Sequence, residues 1–497
     1  MPCNAPAAPL RRFTAVVFLL LWGFACPSSA PGAVDANSIQ QQASAAVDAY
    51  VAQSKAVVGL CAVDLRGGET WIDLRPDELL TTASNQKLLT AAVALARLGG
   101  EFQFVTAPCR IGDDLWVLGS GDPTFGDPQL AREANTTIYS EMDRWAAVVR
   151  KAMPGGIPGD LIVCGAFGAN QTSGQESFRH PDWPKAHHHV WYAAPAAALN
   201  FNDNCLDVTF RVADGTVTPS IVPQSRFIRA VSRIKLGRRH IWSVQYSQSD
   251  SVVTLTGSAR TSSLDPISVP VNNPLLLFGR VLADRLARAG VKVNGRIRTI
   301  AAAPDGGTVR PLCQTRVGLS RVLRRANKRS LNMAAECVFL RAGDGTWAGS
   351  AKIATTTLLK DYGLDANSFV IRDGGGLSRY NRVSPRAMVR LLSAAAGRKD
   401  ANVLLASLPV SGTDGTMRTR LTAAPYRGRV RAKTGYISGV CCLSGYVCDA
   451  DGRPAVAFSM LVNRVPPGKA WQAKQLQDSI CRMLVDSLEQ RRRQADP

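Results

Sequence analysis

At 497 residues the chain is longer than one core usually supports and is read as two to four domains. An apolar share of 46% and a charged share of 20% exclude both a disordered polymer and a bundle of membrane spans. The net charge of +21 attracts polyanions at long range, yet most of these Lys and Arg residues are read as a solvated surface.

Arg11 and Arg12 stand before an apolar run over residues 13–25, and the small residues Ser28, Ser29 and Ala30 follow. This layout predicts a secretory signal over residues 1–30 and a product exported to the periplasm or cell envelope. Export leaves no nucleic acid among the expected partners and points the charge toward electrostatic association with membrane or wall polymers. Ten of the twelve cysteines lie beyond residue 30, which suits an oxidising compartment and several disulfides, while no C-x-x-C pair marks a zinc site.

After the signal, residues 38–56 read as a helix, and 57–65 and 70–74 as strands joined by the turn Arg66-Gly67-Gly68-Glu69. Leu88, Leu89, Ala91, Ala92, Leu95 and Leu98 then recur at helical spacing up to the stop Gly99-Gly100, which places Ser84 at a helix start. From about 102 to 303 the chain changes to short strand-like runs with Gly and Pro turns, without a strong long helix before 273–289, and reads as an insertion. Helical pattern returns over 319–341 and 385–396. A hairpin of 440–448 and 455–463 turns at Asp449-Ala450-Asp451-Gly452, and a terminal helix carries the stripe Leu476, Ile480, Met483, Leu484 and Leu488, read as core packing.

A serine hydroxyl is a poor nucleophile until a base takes its proton, and a lysine three residues on in a helix shares its face, roughly 5–6 Å away between β-carbons. Ser84 and Lys87 meet that condition. The positive end of the helix and nearby cations favour neutral Lys87, the form a base requires, and the Ser84 backbone N–H is placed to face an oxyanion. A lone Ser-x-x-Lys pair arises by chance in many chains. Here Ser330-Leu331-Asn332 and Lys433-Thr434-Gly435 follow in chain order, supplying the S-D-N-type and K-T-G elements, the latter after the strand-like Val430-Arg431-Ala432.

The stretch Thr82-Ala83-Ser84-Asn85-Gln86-Lys87-Leu88-Leu89-Thr90, with 119–123, 199–204, Ser330-Leu331-Asn332 through Ala335-Glu336, 373–379, 408–412, Asp414-Gly415-Thr416 and 443–447, resembles the low-molecular-mass class C penicillin-binding proteins, the D-alanyl-D-alanine carboxypeptidase/endopeptidase family. The resemblance implies an α/β (α+β) fold of the serine penicillin-binding, β-lactamase-like transpeptidase type: an antiparallel sheet flanked by helices, with two smaller inserted domains. A peptidase domain split over 31–103 and 309–497 would hold an inserted domain over 104–124 and 192–308, itself holding a nested piece over 125–191.

By the same resemblance, Ser84 is the nucleophile, Lys87 its base, and Ser330 a proton relay toward the leaving amine. Asn332 holds the substrate amide, charged Lys433 shapes the local field, and Lys433, Thr434 and the adjoining Gly435 receive the terminal carboxylate. The N–H groups of Ser84 and Tyr436 form the oxyanion hole. Peptidoglycan stem peptides are the implied substrates and β-lactams the inhibitors, with no cofactor and no metal. Two positions depart from the family pattern: Tyr436 stands where Ser or Thr is usual, and Gly375 where Ser is usual.

His187-His188-His189 reads as a surface loop rather than a metal site, because adjacent histidines converge on one ion only in special backbone geometry. Gly119-Ser120-Gly121 reads as a turn, since Asp122-Pro123 replaces the helix start and third glycine of a phosphate cradle. Cys441 and Cys442 read as buried or disulfide-bonded neighbours. A serine β-lactamase or esterase shares nucleophile, base and K-T-G strand. A non-catalytic wall-binding protein would have no need of Ser84, Lys87, Ser330, Asn332 and Lys433 together.

Overall fold

The computed structural model describes residues 36–167, 178–301 and 309–495, so the segment read as a signal lies outside the described residues. Strands Val57–Asp64 and Thr70–Leu74 come from the front of the chain, and Val430–Ile437, Val440–Cys448 and Pro454–Asn463 from its end. They form one five-stranded antiparallel sheet with Val430–Ile437 at one edge and Thr70–Leu74 at the other. The join between front and end is the pairing of Val57–Asp64 with Pro454–Asn463, running from Val57 opposite Asn463 to Asp64 opposite Val456.

The inner strands VCCLSGYVC and PAVAFSMLVN are buried almost throughout, because a helical layer covers each face. Successive side chains take opposite faces. Leu443, Phe458 and Met460 join a core with Ile39 and Ala43 of helix Ala36–Ser54 and Ile480 and Leu484 of helix Ala470–Ala495. Cys442, Tyr446, Ala457 and Leu461 join the opposite core, with Leu88 and Leu89 of helix Gln86–Leu98 and Val389 and Leu392 of helix Pro385–Ala396. The Tyr446 hydroxyl donates to the Leu392 carbonyl at 2.8 Å, satisfying its one polar atom inside that core.

The single helix expected over 319–341 is two, Leu319–Lys328 and Asn332–Ala342. Apolar spacing runs across both, so periodicity alone cannot see the break. Between them Leu331 N–H bonds back to the Ala326 carbonyl at 3.0 Å, and Ser330 sits at φ +57, a conformation that non-glycine residues keep only where the surroundings enforce it.

Within residues 103–318, strands Gln103–Ile111 and Asp114–Gly119 form a hairpin, Leu161–Cys164 and Ile297–Ile300 add in parallel, and Thr315–Gly318 closes the far edge of this second sheet. Two three-stranded sheets lie in the same stretch, including Cys205–Ala213 and Ile241–Ser247. Helix Pro274–Arg288 is where sequence spacing puts it, but helix Ser140–Ala152 corrects the expectation of no strong helix before it. Its signal is present: Met142, Trp145, Ala146 and Val149 are buried at helical spacing, with Glu141 and Asp143 in the first turn and Arg150 and Lys151 in the last. Arg325, buried on helix Leu319–Lys328, reaches across to pair with Asp127 and Asp203.

The ten cysteines from Cys61 to Cys481 are all free thiols, nine of them buried, which corrects the expectation of several disulfides. The reason is placement. Cys441 and Cys442 are strand neighbours facing opposite cores, and the buried cysteines fill apolar positions as small hydrophobes. Burial also pushes the Cys61 thiol up to about 12 and the Cys448 thiol up to about 11, suppressing the thiolates that oxidation needs. Denaturation in iodoacetamide without reductant, followed by mass mapping, is expected to find all ten of these cysteines alkylated; a bridged pair among them would contradict this arrangement.

Candidate active site

Ser84 lies in the single turn Ala83–Asn85, directly ahead of helix Gln86–Leu98, and Lys87 lies in the first turn of that helix. Ten successive residues of the helix, Gln86 to Leu95, are buried, so Lys87 has no route to water and must find its partners inside. It finds three. Lys87 Nζ donates to Ser84 Oγ at 3.0 Å, to Asn332 Oδ1 at 2.6 Å and to the Gly375 carbonyl at 2.6 Å. Asn332 opens helix Asn332–Ala342, and its own amide donates to the Tyr192 carbonyl at 2.8 Å.

The break before that helix turns Ser330 toward strand Val430–Ile437. Lys433 Nζ, fully buried, donates to Ser330 Oγ at 2.9 Å and to the Thr434 carbonyl at 2.6 Å. Thr434 Oγ1 donates to Thr416 Oγ1 at 2.8 Å on the adjoining turn. Gly435 lets the strand pass over the serine turn: a Cβ there would stand 2.7 Å from Asn85 Oδ1 and 3.0 Å from the Thr82 carbonyl. Asn85 holds the same strand by donating to the Lys433 carbonyl at 3.2 Å. The Tyr436 ring, 60% exposed, faces solvent, with Lys474 Nζ 6.0 Å from its centre. Ser84, Lys87 and Asn332 thus form one bonded group and Ser330, Lys433 and Thr434 a second, with the Tyr436 side chain outside both.

Burial pushes the Lys87 ammonium down to about 8, while the carboxyl groups of Glu336 and Asp373 draw it back up. Burial also pushes Lys433 well below the ordinary lysine range, and the nearby charge of Lys87 acts in the same direction. Burial thus acts against the charged Lys433 that the resemblance implies.

Sequence reasoning quoted Glu336 and the run Asp373-Gly374-Gly375 without giving them work. Glu336, fully buried, accepts from Gly374 N–H at 2.7 Å and Gly375 N–H at 2.6 Å. Asp373 accepts from Gly376 N–H at 2.7 Å, Ser378 N–H at 2.6 Å and Trp183 Nε1 at 2.9 Å. Together they clamp the loop whose Gly375 carbonyl receives Lys87. Burial pushes Glu336 well above the ordinary carboxyl range, with Asp373 adding to the effect. A signal for these roles lay in the spacing of Glu336 from Asn332, four residues and one helical turn on.

Of the weaker sequence signals, His187 lies in the short turn Lys185–His187 and meets the Tyr192 ring edge-on at 5.7 Å. Gly119 ends strand Asp114–Gly119, and Ser120, a bend after it, accepts from Val105 N–H at 2.7 Å and donates its own N–H to the Val105 carbonyl at 3.0 Å, which corrects the reading of Gly119-Ser120-Gly121 as a turn.

Gly376 closes the clamp at φ +84, where a Cβ would lie 1.8 Å from the Ala83 carbonyl beside the nucleophile turn. Gly376→Ala is expected to destabilise the protein by about 1–3 kcal/mol from backbone strain and to depress penicillin acylation at least tenfold, read by urea titration and by labelling rate. Wild-type behaviour in both assays would show that the loop does not set the geometry of Ser84.

Residues 43–484 match the D-Ala-D-Ala carboxypeptidase 3 (S13) family. The chain is 30% identical to a D-alanyl-D-alanine carboxypeptidase of Actinomadura sp., over 96% of this chain and 90% of that protein. It is 25% identical to the D-alanyl-D-alanine carboxypeptidase DacB of Haemophilus influenzae, over 83% of this chain and 86% of that one. The crystal structure of penicillin binding protein 4 (dacB) from Haemophilus influenzae superposes with a TM-score of 0.70 at 23% identity, covering 89% of this chain and 99% of that one, which is a likeness of fold.

Proposed function

The chain belongs to the D-Ala-D-Ala carboxypeptidase (S13) family of penicillin-binding serine peptidases, and from that premise we propose the following roles for its residues. Lys87, neutral, takes the proton of Ser84 as Oγ attacks the carbonyl carbon of the penultimate D-alanine. The N–H groups of Ser84 and Tyr436 receive the oxyanion, which needs no side chain at position 436. Ser330 passes a proton to the leaving nitrogen, the terminal D-alanine departs, and water then releases the acyl group from Ser84. The observation that carries this reading is the 3.0 Å bond between Ser84 Oγ and a buried Lys87 held near neutrality.

Asn332 would position the substrate amide while it holds Lys87. Lys433, Thr434 and Gly435 would receive the terminal carboxylate, and that anion would favour charged Lys433 against the pull of burial. A bond cut in a cross-linked peptide uses the same steps, with the amine of a second peptide leaving in place of D-alanine, so we extend the reading to D,D-endopeptidase activity.

We also infer that the protein works in the cell envelope, where peptidoglycan lies. Among the described residues no helix is long and apolar enough to cross a membrane. Arg229, Arg233 and Lys235 alternate on the exposed side of strand Arg229–Leu236, which supports electrostatic association with anionic wall or membrane polymers. We divide the chain as the resemblance implies, with 31–103 and 309–497 as the peptidase part, 104–124 and 192–308 inserted, and 125–191 nested. The shared front-and-end sheet supports the first division, while Leu161–Cys164 ties the nested stretch into the second sheet.

Labelled penicillin is expected to form one adduct, on Ser84, and Ser84→Ala to lose both labelling and release of D-alanine; an adduct mapped elsewhere would overturn the assignment. Lys87 bears a lowered pKa, so its base form is present above that value, and acylation should rise as pH passes through about 8. That apparent value belongs to the coupled site. Lys87→Arg, whose guanidinium stays protonated, should acylate about 10²–10⁴-fold more slowly, and equal rates for variant and wild type across pH would remove Lys87 as the base.

A further inference from the structure

We propose that a cavity of about 790 Å³ beside Ser330 is the subsite for the leaving half of a cross-linked peptide, with Arg329 as the residue that selects such substrates. The inference rests on the roles given above, because they fix which side of the cleft receives the leaving group. The leaving nitrogen faces Ser330 and the leaving carboxylate faces Lys433 and Thr434. The cavity begins at that edge: Arg329 and Leu331 flank Ser330, and Thr416 bonds Thr434, and all three line it.

Its size decides between occupants. A volume of this order encloses a drug-sized ligand and far exceeds the needs of one terminal alanine. The walls are mixed. Trp191, 47% exposed, with Trp242 and Ile267, offers flat apolar surface on which a peptide backbone can lie. Against it stand Arg132, Lys328 and Arg329.

The charges are unequally committed. Lys328 is held by Asp414, and the two acids of the cavity are engaged as well, Asp203 by Arg325 and Asp207 by Ser268 and Asn202. Arg329 and Arg132 are exposed and have no ion pair among the described residues. Asp207 keeps its charge, since its partners are neutral, but the charge that stands unpaired beside Ser330 is Arg329, and the occupant it fits there is a peptide carrying a carboxylate beyond the scissile bond. The second strand of a cross-linked wall peptide has that chemistry, with its own C-terminal carboxylate downstream of the amine released by the cut. A planar guanidinium one residue from Ser330 can take such a carboxylate in two parallel bonds. Leu331 keeps the donor next to the leaving group by anchoring the break from inside the core, 5% exposed.

The test compares a short peptide ending in D-Ala-D-Ala with a purified cross-linked dimer, measuring kcat and KM for wild type, Arg329→Gln and Trp242→Ala, alongside the rate of penicillin acylation. Wild type should cut both. In each variant kcat/KM for the dimer should fall at least tenfold, mostly through KM, while the short peptide and penicillin change less than twofold. Trp242 lies on a different element from Ser330, so its variant separates loss of the subsite from disturbance of the helix break. Parallel losses on both substrates in both variants would mean a structural role and overturn the proposal, as would a dimer rate unchanged in both or a dimer that wild type does not cut. Failure of wild type on the short peptide and on penicillin alike would instead remove the parent reading, and the subsite with it.

Discussion

Two lysines buried in one cleft without a free carboxylate between them set the terms for everything around it. Water would solvate each ammonium well, and the cleft offers only a few oriented oxygens in exchange. Lys87 receives a hydroxyl, an amide oxygen and a backbone carbonyl; Lys433 receives a hydroxyl and a carbonyl. Each acceptor is also part of the proposed chemistry or the backbone beside it, so the contacts that make burial tolerable are those that hold the nucleophile and the relay in place. Glu336 and Asp373 stand one layer back and clamp the loop that carries the Gly375 carbonyl.

The glycine at position 375 acquires a reason in this light. A Cβ there would sit 2.6 Å from Glu336 Oε1 and 3.3 Å from the Asn332 Cβ. Its absence lets a buried carboxyl close directly on two successive backbone N–H groups. The serine usual in the family would need Glu336 to stand further away, so the departure at Gly375 and the tight clamp are one feature seen from two sides.

What the sequence disclosed, and what it hid, follows from how local each cause is. Ser84 and Lys87 were legible as a pair because helical geometry alone brings residues three apart together, and the K-T-G strand was legible because its neighbours are strand formers. The break at Ser330 was not, since apolar spacing continues through it and the constraint that holds φ positive is tertiary. Helix Ser140–Ala152 was obscured by its charges, although its four buried positions carry the right period. The pull of burial against a charge on Lys433 was hidden because it comes from several elements at once. The free thiols were misjudged because composition speaks of compartment, whereas bonding depends on which face of a strand each cysteine takes.

The pairing of Val57–Asp64 with Pro454–Asn463 joins segments about 400 residues apart in sequence. Loop closure over such a separation is slow, and contacts of this kind form late in folding. Until the last strands are available, Val57–Asp64 has only Thr70–Leu74 beside it, and its other edge stays open to unwanted partners. Lys433 arrives on those same late strands, so a partly synthesised chain lacks half of the cleft. The order of assembly thereby leaves the hydrolase without a complete cleft until its final strands have been made.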